Sequence, residues 1–376
     1  MQSDSIFYKF YYQWWKNIDK SIFLLISLLF VVGLFFSLVS TSLIASDKLD
    51  TNSYFFFFKH LIYVLIGISL IFIFSSLNSD QLYKYSIFLF FISLISLFLV
   101  PFVGVEVKGS KRWIDLFFLP RFQPIEVLKP FLIVILATIF CDIRSNILFK
   151  YLISIILISI ISLLLIAQPD IGQTLLVVFC WAALIFTSGI NIYILLGIFI
   201  AGASLLAYLI IFVPKFDYIQ GRIFSFFNRE TGTHNFQSDK AIESITSGGF
   251  FGKGIGEGVL KNRVPEAHTD YIISVISEEF GVVAIMLILL LFLILIYMVF
   301  KKISFETNDK AKLILIGSIS LILMQATIHI GVNIRLLPTT GMTLPFLSYG
   351  GSSLIGSSIL AGIILNYTKN KTYLYE

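Results

Sequence analysis

The 376 residues carry a formal charge of +5, are 57% hydrophobic and only 13% charged, and have a mean hydropathy of +0.93. Ordinary globular domains carry about 25% charged residues, so a water-soluble fold, with or without a membrane anchor, is excluded. No dense Lys/Arg run stands outside the apolar stretches, which argues against nucleic acid as a partner.

In chain order, the first 20 residues are aromatic and charged and do not read as a cleavable signal peptide, so the apolar run behind them is expected to remain as a span. Apolar runs long enough to cross a hydrocarbon core of ~30 Å predict helices near 22–44, 56–76, 86–103, 123–140, 151–167, 171–188, 191–213, 269–300, 313–336 and 352–367. The fold class is therefore an all-α polytopic membrane protein with about ten transmembrane helices. It reads as one membrane domain over 1–376, with an N-terminal segment 1–20, a large outer loop 214–268 between spans 7 and 8, and a tail 368–376. An even number of spans puts both termini on one side. The lysines and arginines collect on the segments that share that side, including Lys84, Arg144, Lys150 and four in 301–312, which makes both termini cytoplasmic.

The outer loop after the third span breaks that trend with Lys108, Lys111, Arg112 and Arg121 around Trp113. Such a cluster suits an anionic substrate or, equally, lipid head groups. Within 214–268 the run SGGFFGKGIGEG, 247–258, reads as a loop on the membrane surface. With Lys253 it could cradle phosphate, although it matches no P-loop spacing. Cys141 and Cys180 lie in or beside spans without the spacing of a zinc site or a disulfide framework.

Ionisable side chains at membrane depth cost about 2.5–3.5 kcal/mol on insertion scales, so each implies a partner or a task. Glu126 and Lys129, three apart in QPIEVLK after Pro124, share a helix face and can pair, either as packing or as chemistry. Asp170 in QPDIGQT either caps the next helix or binds a substrate group. Asp270 follows His268 and Thr269 in VPEAHTDYIISVISEEFG. On a helix beginning near Thr269, Asp270, Ser274 and Glu278 point one way, toward an outer vestibule. A carboxylate there serves as a general base, a metal ligand or a helix cap. Arg335 ends the ninth span, where snorkelling and substrate contact are both open. No Ser-His-Asp set, HExxH, Walker motif or zinc quartet is present, which excludes several hydrolase and nucleotide-dependent classes.

Six segments, KGSKRWIDL, QPIEVLKP, QPDIGQTLL, GGFFGKGIGEG, PEAHTDYIISVISEEFG and GVNIRLLPTTGMTLPFLSYGGSS, in this order over roughly 20–367, resemble the SEDS family of bacterial membrane glycosyltransferases. PEAHTD and LPTTGMTLPFLSYGGSS resemble its cell-division branch more than its elongation branch. The resemblance implies polymerisation of lipid II into peptidoglycan at the outer face of the cytoplasmic membrane, at the division septum. It places the essential aspartate at Asp270. Lys111, Arg112, Trp113, Lys253, His268, Thr269 and Ser348 fall in the substrate-binding set, and Glu126, Lys129 and Asp170 in the support of the cavity. Asp270 would act as base or as ligand of a divalent cation, Mg or Mn, with no organic cofactor. Implied partners are the lipid II substrate, a class B penicillin-binding protein transpeptidase, other division proteins and membrane lipids. The sequence departs from the family pattern at Ile125, at Phe117 and Phe118, and at His329. A lipid II flippase and a non-catalytic division scaffold are the other function classes that ten spans with intramembrane charges allow.

Overall fold

The computed structural model describes residues 6–41, 54–107, 110–115, 121–142, 146–227, 236–260 and 264–369. The helices are α1 (Ile6–Asn17), α2 (Lys20–Thr41), α3 (Phe55–Ser76), α4 (Ser79–Val103), α5 (Pro124–Cys141), α6 (Ile147–Ala167), α7 (Ile171–Thr187), α8 (Ile192–Phe212), α9 (Asp217–Phe227), α10 (Phe236–Gly248), α11 (Ile272–Phe305), α12 (Asp309–Asn333) and α13 (Gly351–Tyr367). Between α4 and α5 a small antiparallel hairpin pairs β1 (Val105–Val107) with β2 (Ser110–Trp113). Among the described residues eight helices are long and apolar enough to span a bilayer, and α7 and α13 are shorter apolar helices of 17 residues each. These ten are the ten expected spans.

Their ends follow local chemistry. Pro124 opens α5, where its missing N–H costs nothing. The third expected span starts seven residues early because Asn78 and Gln81 form a capping box ahead of α4. Both chain ends gather on one side. Trp14 Nε1 donates to Ser75 Oγ at 2.7 Å, Lys302 pairs with Asp19 at 2.7 Å, and Lys369 Nζ donates to the Leu77 carbonyl at 3.1 Å.

The bundle is packed unevenly. Helices α5 and α12 are largely enclosed, α13 lies along α3 and α5, and α8 is almost wholly turned outward. Lipid-facing positions are accordingly apolar: Ile200, Leu205, Ile211 and Phe212 on α8 are all exposed. Small residues let the central helices approach closely. A Cβ on Gly356 would fall 2.2 Å from the Glu126 carbonyl oxygen, so α13 rests on the first turn of α5 only because position 356 has no side chain.

One expectation is corrected here. The eighth span was expected as one helix over 269–300, but it starts at Ile272 and is broken at Gly281, whose φ of 75° lies in the left-handed region that favours glycine. The glycine-rich segment 247–258, which runs as turns and bends after Gly248 with Phe250, Phe251 and Ile255 exposed, splices that break. Val282 and Val283 donate their N–H groups to the carbonyls of Gly249 and Phe250, and Lys253 and Gly254 donate to those of Glu278 and Glu279, at 2.9–3.2 Å. Backbone groups that the kink strips from the helical ladder thus find partners in the loop. The surrounding outer segment is folded as well, with α10 packed on the first part of α11.

Candidate functional site

The expected ionisable residues assemble in two neighbouring groups at the outer ends of the helices. The first is buried between α5, α7 and α12. Lys129 Nζ lies 2.9 Å from Glu126 Oε2, the i,i+3 pairing that their spacing predicts. Gln173 Nε2 donates to Glu126 Oε1 at 2.5 Å, and Lys129 also donates to Gln173 Oε1 at 3.0 Å and to Gln325 Oε1 at 3.4 Å. Gln325 in turn donates to the Thr343 carbonyl at 3.1 Å. With both carboxylate oxygens and the ammonium engaged, the cluster ties three helices and the segment 334–350 together.

Asp170 stands beside it as the cap of α7, accepting the Gln173 N–H at 3.4 Å and the Gln123 side-chain N–H at 3.1 Å. Arg112, carried in by β2, has Nη1 3.7 Å from Asp170 Oδ1, and donates to the carbonyls of Gln168 at 3.2 Å and Pro169. Burial pushes the Asp170 carboxyl up, and the Arg112 guanidinium and the Gln173 N–H pull it back. The hairpin therefore buries its arginine against the 168–170 turn rather than offering it to solvent. Lys111 on the same strand is exposed, opposite Glu106 in the register, and Trp113 is half-buried opposite Val105. Arg121 lies 3.7 Å from Asp115. Lys108, Phe117 and Phe118 lie outside the described residues.

The second group centres on Asp270. Residues 265–271 form a turn, not the start of a helix, so Asp270 precedes α11. The Glu266 carbonyl gathers the N–H groups of Thr269, Asp270 and Tyr271 at 3.1–3.3 Å, with Glu266 itself at φ 55°. Asn333 Nδ2, at the end of α12, donates to the Asp270 carbonyl at 3.0 Å. The half-buried Asp270 carboxylate faces Gly341: a Cβ there would meet Asp270 Oδ2 at 3.4 Å. One residue on either side, Thr340 and Met342 pack against Gly172 near the start of α7, where a Cβ would fall 2.7 Å from Thr340 Cβ. The segment 340–342 thus lies between the Asp170 cluster and Asp270 and touches both.

Ser274 and Glu278 do not share the Asp270 direction. Both are fully buried against α10, where Ser244 donates to the Ser274 carbonyl at 3.2 Å and to Glu278 Oε2 at 2.9 Å. Lys253 Nζ sits 3.6 Å from Glu278 Oε1, so its geometry is that of the helix splice. Ser348 is buried with its Oγ accepting the Leu344 N–H at 2.9 Å, and the Thr269 hydroxyl donates to the Glu266 carbonyl at 3.3 Å. His268 stacks between Phe56 and Tyr349, at ring distances of 5.1 and 5.7 Å, beside Asp270.

Several members of the site were not singled out from sequence. Gln123, Gln173 and Gln325 complete the buried cluster. Gln325, a lone amide in an apolar run, is a signal that could have found it. Arg222 on α9 donates to the Thr339 carbonyl at 3.4 Å. Burial pushes the Tyr271 hydroxyl up, Asp270 adds to the shift and Arg222 opposes it, so cation and carboxylate both act on Tyr271. Arg335, left open between snorkelling and substrate contact, pairs with Asp239 on α10. Among the described residues, no three His, Cys, Asp or Glu side chains gather into a metal-binding group.

Comparison with known proteins places this arrangement. The family described as "Cell cycle protein" and labelled FtsW/RodA/SpoVE matches residues 19–373. The chain is similar to the "Probable peptidoglycan glycosyltransferase FtsW" of Caulobacter vibrioides, 31% identical over 370 residues, covering 96% of this chain and 92% of the relative. Its fold resembles a chain from a solved peptidoglycan synthase complex, described as coordinating polymerization and crosslinking, with a TM-score of 0.76, 25% identity and coverage of 93% and 97%. It also resembles the rod shape determining protein RodA of Thermus thermophilus, with a TM-score of 0.69, 26% identity and coverage of 94% and 97%. A multi-pass membrane chain matched over this length belongs to the FtsW/RodA/SpoVE family, the SEDS family that its motifs resemble.

Proposed function

We propose that the chain is a peptidoglycan glycosyltransferase that polymerises lipid II at the outer face of the cytoplasmic membrane, in septal wall synthesis. The observation that carries this reading is Asp270. It is a half-buried carboxylate on an outer turn, held by Asn333 and by Glu266 and facing the bare backbone of Gly341, in a chain so similar to a protein named for that activity.

Polymerisation needs a sugar hydroxyl to attack an anomeric carbon while undecaprenyl pyrophosphate departs. The new C–O bond forms as the bond to the pyrophosphate oxygen breaks, and the hydroxyl proton passes to a base. Asp270 is assigned that proton, or the orientation of the hydroxyl that loses it. An α-linked donor then gives a β-linked product by one inverting displacement, with no covalent enzyme intermediate. Cations must meet the growing charge on the leaving group. Lys111 is exposed for it, and Arg222 is brought to the segment that touches Asp270. Arg112, Glu126, Lys129 and Asp170 hold the cavity wall, and Lys253 and Ser348 hold backbone turns.

A single carboxylate suits Mg or Mn, which commonly take one or two protein oxygens and complete their shell with water and substrate phosphate oxygens. Asp270 would hold such an ion, which would neutralise charge on the pyrophosphate. The assembly reading is a class B penicillin-binding protein transpeptidase as partner, with other division proteins around the pair. The solved complex that this fold resembles couples polymerization and crosslinking.

The test is purified chain with lipid II in detergent, where sidedness does not exist. Glycan strands identify an enzyme. Movement of labelled lipid across liposomes without polymer identifies a flippase. Arms with the cognate transpeptidase and with chelator test the partner and the cation.

A further inference from the structure

Around the Asp270 turn, four buried polar atoms have no hydrogen-bond partner among the described residues: His329 Nε2, Asn333 Oδ1, Thr340 Oγ1 and the Tyr271 hydroxyl. Such atoms are uncommon in packed interiors, because each forfeits its hydration. These four sit on segments that are bonded to one another. His329 and Asn333 lie one turn apart on one face of α12 and are fully buried. His329 Nδ1 is 2.7 Å from the carbonyl of Met342, two residues beyond Thr340, and Asn333 Nδ2 is on the Asp270 carbonyl, next to Tyr271.

Their hydrogen-bonding roles can be assigned. The Met342 carbonyl only accepts, so His329 Nδ1 carries the proton and Nε2 is a bare acceptor. Asn333 commits its amide hydrogens to the Asp270 and His329 carbonyls at 3.0 and 2.8 Å, leaving Oδ1 as a second acceptor. Thr340 and Tyr271 bring hydroxyl donors. Two acceptors and two donors together are the complement of a water molecule, and buried water in proteins makes about three such bonds to groups of this kind. None of the four atoms is charged, which favours a neutral ligand over an ion.

We propose that this seam is an internal water site, and that His329 and Asn333 are positioning residues that fix the Asp270 turn through the water and through the Asn333 amide. The proposal rests on the reading of Asp270 as the group that takes or orients the acceptor proton. At position 329 the sequence also departs from the pattern its motifs resemble. The histidine ring puts one nitrogen on the 342 carbonyl and leaves the other for the seam.

The direct test is a substrate-free structure of the full chain in nanodiscs at a resolution that shows ordered water. A peak about 2.7–3.2 Å from both His329 Nε2 and Asn333 Oδ1 is expected. Protein atoms filling the seam, or density that appears only with lipid II bound, would overturn the proposal. In the polymerisation assay, His329→Gln keeps a donor and an acceptor and should stay near wild-type turnover. His329→Leu should lower kcat about tenfold with KM unchanged, a loss of the order of one hydrogen bond's positioning. Equal losses in both variants, a change in KM alone, or no change would each refute the positioning role. Density at the seam does not depend on activity, and Asp270→Asn tests the underlying reading separately.

Discussion

Removing one partner of the Glu126–Lys129 pair should be more damaging than removing both. Their side chains are 5% and 3% exposed and the charged atoms are 2.9 Å apart. At an effective dielectric near 20 that separation corresponds to roughly 6 kcal/mol of attraction, set against a desolvation cost of several kcal/mol per ion. The net value of the pair is therefore small, while Lys129→Met leaves the Glu126 carboxylate buried with only the Gln173 amide. That exposed imbalance should cost about 3–5 kcal/mol. Glu126→Gln with Lys129→Met removes both charges and keeps near-native volume, leaving only the glutamine oxygens that Lys129 met to find new donors, so it should fall within about 1–3 kcal/mol of wild type and above Lys129→Met in stability. Unfolding of the four proteins of this cycle in detergent, read by intrinsic tryptophan fluorescence, measures the coupling. If the double variant were as unstable as Lys129→Met, the claim that the pair is valuable mainly because breaking it strands a charge would be wrong.

Gly281→Ala should be severely destabilising, because it combines a left-handed φ of 75° with a Cβ 2.2 Å from the Phe250 carbonyl oxygen; a loss above about 3 kcal/mol or failure to accumulate in the membrane is the expected result. Arg112→Ala should lower stability by roughly 2–3 kcal/mol through the freed carbonyls and Asp170, and reduce polymerisation with it. Lys111→Ala, on the exposed side of the same strand, should leave stability within about 0.5 kcal/mol and act, if at all, on donor KM. Glu278→Gln should keep the Leu260 N–H bond seen at 2.8 Å on its one oxygen and turn its amide N–H to Ser244 Oγ in place of the bond received there at 2.9 Å, and so cost less than Glu278→Ala, a difference that thermal unfolding will resolve.

The spans were legible because the bilayer imposes a length and an apolar composition that few other structures share. The Glu126–Lys129 pairing followed from helical spacing alone, and the Asp170 cap from its position before Ile171. Spacing failed where backbone is not regular. The four-residue rhythm of Asp270, Ser274 and Glu278 presumes a helix that does not begin until Ile272, so Asp270 turns toward Gly341 while the other two face α10. The positive cluster around Trp113 looked like an anion wall because composition cannot tell which strand residue points inward; β2 turns Arg112 in and Lys111 out. The glycine run offered a possible phosphate cradle without P-loop spacing, and its backbone partner is a break 23 residues or more along the chain, at Gly281, which no local pattern announces. Arg222 carries no sequence signal at all: only the placement of α9 brings it to the segment beside Asp270.

The central claim is that Asp270 takes part in bond formation while the surrounding charges hold the cavity. Purified Asp270→Asn, an isosteric change that should preserve the turn and its Asn333 hydrogen bond, should lose polymerisation of lipid II by at least ~100-fold with unchanged thermal unfolding. Wild-type turnover by Asp270→Asn would contradict the account.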